Sequence, residues 1–109
     1  MRFEIKQVEI IDDLGAETDT ALIAQCHVEI GDKGASGADI FFVDVCNPQW
    51  AEENIYSDGA MSHPTVLIVD RIDEKNIREK VEEMFLGYDY SSFDELVSRA
   101  TPLMRWEFA

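Results

Sequence analysis

Residues 21–46 read ALIAQCHVEI, GDKGASG, ADIFFVDVC, and the first and last of these three segments alternate with a period of two. In residues 21–30, Leu22, Ala24, Cys26, Val28 and Ile30 share one face while Gln25, His27 and Glu29 occupy the other, the pattern of a half-buried strand. In residues 38–46, Phe41, Val43 and Val45 share a face, and Ile40 and Phe42 on the opposite side predict that part of that side is covered as well. Such a strand lies inside a sheet. Between the two, Gly31, Gly34 and Gly37 supply the positive φ values that a hairpin connection uses. A phosphate loop is excluded there, because the Gly-Lys-Ser/Thr ending is missing and a strand follows instead of a helix.

The remaining elements assemble around this hairpin. Upstream, Phe3, Ile5, Val8 and Ile10 mark a strand over residues 2–10 whose inward parity slips after Ile5, which predicts a bulge. Downstream, Pro48 ends the third strand. Residues 47–63 then form an irregular stretch, and one of that length carries a function or hides a short helix. Residues 65–72, with Val66, Leu67, Ile68, Val69 and Ile72, read as a fourth strand buried on both faces. Asp73 can cap a helix whose Ile77, Val81, Met84 and Phe85 make one apolar stripe, and Lys75 with Glu79 and Arg78 with Glu82 mark its solvated side. Gly87 stops that helix. Ser92 and Glu95 form a capping box before a second stripe, Phe93, Leu96, Val97 and Ala100. After Pro102, Met104, Trp106 and Phe108 alternate with Arg105 and Glu107 as a last strand, at an edge or beside the first. The reading is an α+β fold, order β-β-β-β-α-α-β: a mainly antiparallel sheet of about five strands with two helices packed on one face.

Composition narrows the function. A chain of 109 residues, 46% hydrophobic, closes one core, so residues 1–109 read as a single domain. Nine basic against 23 acidic residues leave a net charge of −14. A nucleic-acid ligand and an anionic membrane surface both require cationic side chains, so neither is expected. The same charge suits a basic protein partner, whose approach it steers. Arg2, Glu4, Lys6 and Glu9 break any leader-like apolar run, and the aliphatic run Val66–Val69 is far short of the roughly 20 residues of a membrane span. A cytoplasmic location follows, in which Cys26 and Cys46 are read as reduced, small buried thiols.

Candidate chemistry is sparse. Cys26 and His27 are adjacent on a strand and point to opposite faces, so they cannot act as a nucleophile–base pair. His63 precedes Pro64 in a loop. Two cysteines and two histidines lack the paired spacing of a zinc site, and neither Asp12–Asp19 nor Asp32–Asp39 follows a calcium-loop pattern. No catalytic residue, no metal and no cofactor are therefore assigned, and the chain is not expected to be an enzyme.

The run Gly31–Gly37, the strand ending in Val45-Cys46-Asn47-Pro48-Gln49-Trp50, the apolar strand before an amphipathic helix, and the terminal Trp106-Glu107-Phe108 together resemble the immunity protein 8 family. The resemblance implies a bacterial polymorphic toxin or contact-dependent growth inhibition system, in which the immunity protein neutralises a cognate toxin by direct, stoichiometric binding. It also makes Cys46, Pro48, Trp50, Trp106, Glu107 and Phe108 family-motif positions, read as structural. Apolar faces of the strands and helices are committed to the core, so docking is expected from loops and outer faces. Trp50, Glu52, Glu53, Tyr56 and Asp58 in one loop combine aromatic anchors with acids, and Asp12, Asp13, Glu17 and Asp19 form a second acidic loop. The acidic outer side of the first long helix, Glu79, Glu82 and Glu83, is the competing surface. The expected partner is a basic toxin domain, with a nuclease as the best match to the charge, and a homo-oligomer stays open. Two other classes are consistent with composition: an acidic protein-binding module or structural subunit unrelated to toxins, and a small enzyme with an unrecognised pocket.

Overall fold

A computed structural model describes residues 1–12, 20–56 and 66–108. Strands β1 (Phe3–Ile10), β2 (Ile23–Asp32) and β3 (Asp39–Cys46) form an antiparallel meander. The hairpin predicted at residues 31–37 joins β2 to β3, with Gly34 at φ +83°. Gly31 is required for a different reason: a Cβ there would lie 2.0 Å from the Gly37 carbonyl oxygen, so the two ends of the turn approach too closely for any side chain. The bulge expected after Ile5 is present, because the β1–β2 register shifts between Ile5 and Gln7. Lys33 N–H donates to the Arg2 carbonyl, so alternate residues of β1 bond to β2 and Ile5 turns its backbone groups to the outer edge. There Arg78 Nη1 donates to the Ile5 carbonyl at 3.1 Å. An edge strand that is bulged and capped by a cation is a poor template for unwanted pairing.

The sheet is mixed, not wholly antiparallel. Strand β4 is only Leu67–Ile68, runs parallel to β3 and pairs with Val45 and Cys46. Strand β5, Arg105–Trp106, lies antiparallel to the same edge of β3 opposite Phe41 and Phe42. The last strand thus joins β3 rather than β1, and two short strands share one edge. Strand β4 is shorter than the expected residues 65–72, but the burial on both faces is as expected: Leu67 and Val69 face the main core, while Val66 and Ile68 pack on a second cluster.

Among the described residues three helices accompany the sheet, not two. Helix α1 (Pro48–Ala51) continues as a π-helical turn, Glu52–Tyr56, within the stretch read as irregular. Helix α2 (Glu74–Val81) also continues as a π-helical turn, Glu82–Leu86, and α3 spans Phe93–Ala100. Ile77, Val81, Phe85, Leu86, Leu96, Ala100 and Met104 pack against Ile5, Val8, Cys26, Val28, Phe41, Val43 and Val45 in one core. Two sequence expectations fail at α2. Met84 is 38% exposed, because i→i+5 bonding widens the turn, each residue rotates less, and the buried pair moves from Met84 and Phe85 to Phe85 and Leu86. Arg78 turns to the bulged edge and is half-buried, so it is not part of a solvated face. The caps form as read: Asp73 accepts from Asn76 N–H at 2.8 Å, and Ser92 Oγ accepts from Glu95 N–H at 3.2 Å. The returning Glu95 carboxylate bonds Ser91 instead of Ser92.

Candidate functional site

The turn out of β3 is organised by one side chain. Asn47 is the buried polar residue of the core region, 3% exposed, and its Oδ1 accepts from Trp50 N–H at 3.0 Å and Leu22 N–H at 3.1 Å while its Nδ2 donates to the Thr20 carbonyl at 2.7 Å. It therefore caps α1 and ties the start of β2 to the end of β3. Pro48 at the first helical position completes the start signal, since its missing N–H would have had no helical partner. The sequence carries this signal in the Asn47-Pro48 pair, an N-cap residue followed by proline.

Helix α1 packs on the face of the sheet opposite to α2 and α3. Val45 points to the main core, so its neighbour Cys46 points the other way, where Ala51 and Ile55 bury it with Trp50, Val66 and Ile68 around them. Trp50 is thus half-buried in this small cluster, with Glu52 and Glu53 exposed on the same turn. Cys26 and Cys46 lie on opposite faces and are both free. Burial pushes the Cys26 thiol up to about 12, with Asp12 and Asp44 adding to the effect, and burial likewise raises Cys46.

Beyond α1, no described element covers this second face. Its outward residues fall in register across four strands: Glu9 opposite His27, His27 opposite Phe42, and Phe42 opposite Arg105. The His27 and Phe42 rings are 4.9 Å apart, and the Arg105 guanidinium lies 5.5 Å from the Phe42 centroid. Flanking rows place Gln7, Glu29 and Ile40 on one side and Gln25 with Asp44 on the other. Ile23, exposed, extends the surface toward α1. The sequence singles out Phe42 and Ile40 at water-facing parity and predicts cover over them, which no described element beyond α1 supplies.

A cavity of about 210 Å³ opens at the β3 edge of this surface, lined by Gln25, Phe42, Asp44, Pro102, Leu103 and Arg105 among others. It occupies the gap between β4 and β5, which pair only with residues 45–46 and 41–42 of β3. Glu107 N–H donates to the Ile40 carbonyl on this edge, so by alternation Asp44 also turns its backbone groups toward the gap. No described strand pairs with it there.

The other expected site residues are dispersed. Asp12 is exposed, and its Oδ2 accepts from Gln25 N–H at 2.8 Å, closing the end of the β1–β2 ladder. Asp13, Glu17, Asp19, Asp58 and His63 lie outside the described residues, as does the Tyr56 side chain. Trp106 is half-buried; its Nε1 donates to Asp39 Oδ1 at 3.2 Å and its ring meets Phe93 at 5.4 Å. Phe108 is 71% exposed and rests on Trp106, so it is not a core residue: the chain turns after Trp106 and the strand alternation ends there. Glu79, Glu82 and Glu83 border a larger cavity of about 670 Å³ together with Arg2, Lys33 and Arg78. Among the described residues, no cluster of three His, Cys, Asp or Glu side chains is placed to hold a metal ion, and no helix is long and apolar enough to cross a membrane.

No curated protein and no solved structure matches the chain significantly. The family model described as immunity protein 8 matches residues 3–109, which takes in the bulged first strand, the Asn47-capped turn and the terminal Trp106-Glu107-Phe108. With that match running over nearly its whole length, the chain belongs to the immunity protein 8 family.

Proposed function

We propose that the chain, acting as a single domain in the cytoplasm of the producing cell, neutralises a cognate toxin of a polymorphic or contact-dependent inhibition system by direct stoichiometric binding and without turnover. Family membership over residues 3–109 carries this reading, and a net charge of −14 points to a basic toxin domain, of which a nuclease is the foremost type. An acidic surface can occupy a site built for phosphates. The docking residues are taken from Trp50, Glu52, Glu53, Tyr56 and Asp58, with Asp12, Asp13, Glu17 and Asp19 contributing to the field. Trp50 is half-buried beside two exposed acids, the arrangement of an anchor within a charged rim.

The test is coexpression and copurification with the toxin domain encoded beside this chain. A one-to-one complex, and rescue of growth that survives Cys26→Ala and Cys46→Ala in folded protein, are expected. Rescue without a complex would overturn binding as the mechanism.

A further inference from the structure

The proposed function names docking residues around α1 and in one acidic loop, and the sheet face beside α1 carries features that packing among the described residues does not explain. A solvated sheet face is ordinarily mostly polar, and it is a contiguous apolar patch, rather than a single apolar residue, that marks an interaction surface. Here Phe42 and Ile40 stand at the centre, half-buried, and Ile23 is exposed at the rim. Glu9, Glu29 and Asp44 surround them, against Arg105 in the same rows and Lys6 at the bulge, whose ammonium is already paired with Glu4 at 2.6 Å. At one side lies the gap in the β3 edge, where the Asp44 carboxylate, its backbone groups and Gln25 border a cavity of about 210 Å³. Beside β4, at the same edge, α1 and its π-helical turn rise from this face, bringing Trp50, Glu52 and Glu53 to the border.

We infer that this face, floored by the Glu9–His27–Phe42–Arg105 row and walled by α1, is the docking surface for a basic protein partner, one of whose arginine or lysine side chains enters the Asp44 gap. The inference rests on the toxin-binding reading and narrows it to a surface. Charge complementarity selects the occupant: Glu9, Glu29 and Asp44 outweigh Arg105 around the apolar centre, Lys6 being paired with Glu4, and the cavity presents acceptors in Asp44 and Gln25 to a cationic donor. Phe42 already holds one guanidinium, that of Arg105, close to its ring, and it offers an aromatic surface of the kind that basic interfaces use. Anchors of this kind, ringed by polar groups that exclude water, are where binding energy concentrates.

The experiment measures binding of the toxin domain encoded beside this chain to wild type, Asp44→Lys, Glu29→Lys and Phe42→Ala, with Glu82→Lys and Glu83→Lys on the far side of the molecule as controls. Melting curves and native mass accompany each variant. The expected result is a Kd raised at least 100-fold by Asp44→Lys and at least tenfold by Glu29→Lys and Phe42→Ala, with both controls within threefold of wild type. Asp44 and Glu29 point to water, so these variants stay folded even if Phe42→Ala does not, and Asp44→Asn gives a further folded variant, expected between wild type and Asp44→Lys. Wild-type binding unchanged by the sheet variants, or weakened by the α2 variants instead, overturns the surface and leaves the toxin-binding function standing. Failure of wild type to bind overturns both. A native mass of twice the chain that Asp44→Lys abolishes would assign the face to a second copy and also overturn the inference.

Discussion

At Asn47 one amide joins three backbone segments, and the cost of removing it is larger than that of an ordinary cap. Asn47→Ala removes the acceptor for Trp50 and Leu22 N–H and the donor to the Thr20 carbonyl, in a position 3% exposed. A lost cap costs about 1 kcal/mol and each buried group left unpaired adds to it, so a loss of about 2 to 4 kcal/mol is expected in urea unfolding. Asn47→Asp keeps the acceptor and loses the donor, and should fall between. Trp106→Ala removes a half-buried ring and its bond to Asp39, so it should cost about 2 kcal/mol, less than the roughly 3 to 5 kcal/mol of a fully buried ring. Cys26 gives the pH dependence. Its folded pKa is raised to about 12 from an ordinary 9.0, so the protonated thiol is favoured in the folded state. The associated stability is fully present below pH 9 and is lost as pH rises toward 12. Alkaline unfolding should therefore begin later in Cys26→Ala, relative to its own stability at pH 7, and neither thiol should react with a thiol reagent until the protein unfolds.

Among the elements, α2 shows how a correct periodicity gives a wrong face. Ile77 and Val81 lie where a 3.6-residue period puts them, but the π-helical turn over Glu82–Leu86 advances the buried position by one residue. Met84→Ala should accordingly cost less than about 1 kcal/mol, while Leu86→Ala, in the core, should cost about 2 to 4 kcal/mol. Equal costs in thermal or urea melts would show that the stripe runs through Met84 after all. The strands were more legible. Side-chain alternation on β2 and β3 carries the register of the hairpin, and the parity slip after Ile5 located the bulge, because a period of two leaves no freedom once one face is buried. The α1 turn was hidden for the opposite reason: a helix of one turn has too few residues to show a period, and only its capping chemistry at Asn47 and Pro48 announces it.

At the level of the whole molecule the charge dominates. With a net −14, association with a basic toxin should be fast at low salt, and its on-rate should fall as ionic strength rises. Trp50→Ala is expected to raise the off-rate with little change in the on-rate, whereas reversing Glu52, Glu53 and Asp58 to Lys should lower the on-rate; stopped-flow measurements across a salt series separate the two. An on-rate indifferent to salt would remove steering from the account. The amino-acid sequence by itself determined the acidity, the order of the three-strand meander, the caps at Asp73 and Ser92 and the core faces of β2 and β3, since all of these depend on neighbours within a few residues. Tertiary structure alone decided that β4 and β5 share one edge of β3 and leave a gap at Asp44, and that α1 covers Cys46 on the face opposite α2 and α3. Those features depend on contacts between segments far apart in the chain, for which no local period exists. The uncovered face belongs with them: Phe42 at outward parity reads as a covered residue until the fold shows that no described element lies over it.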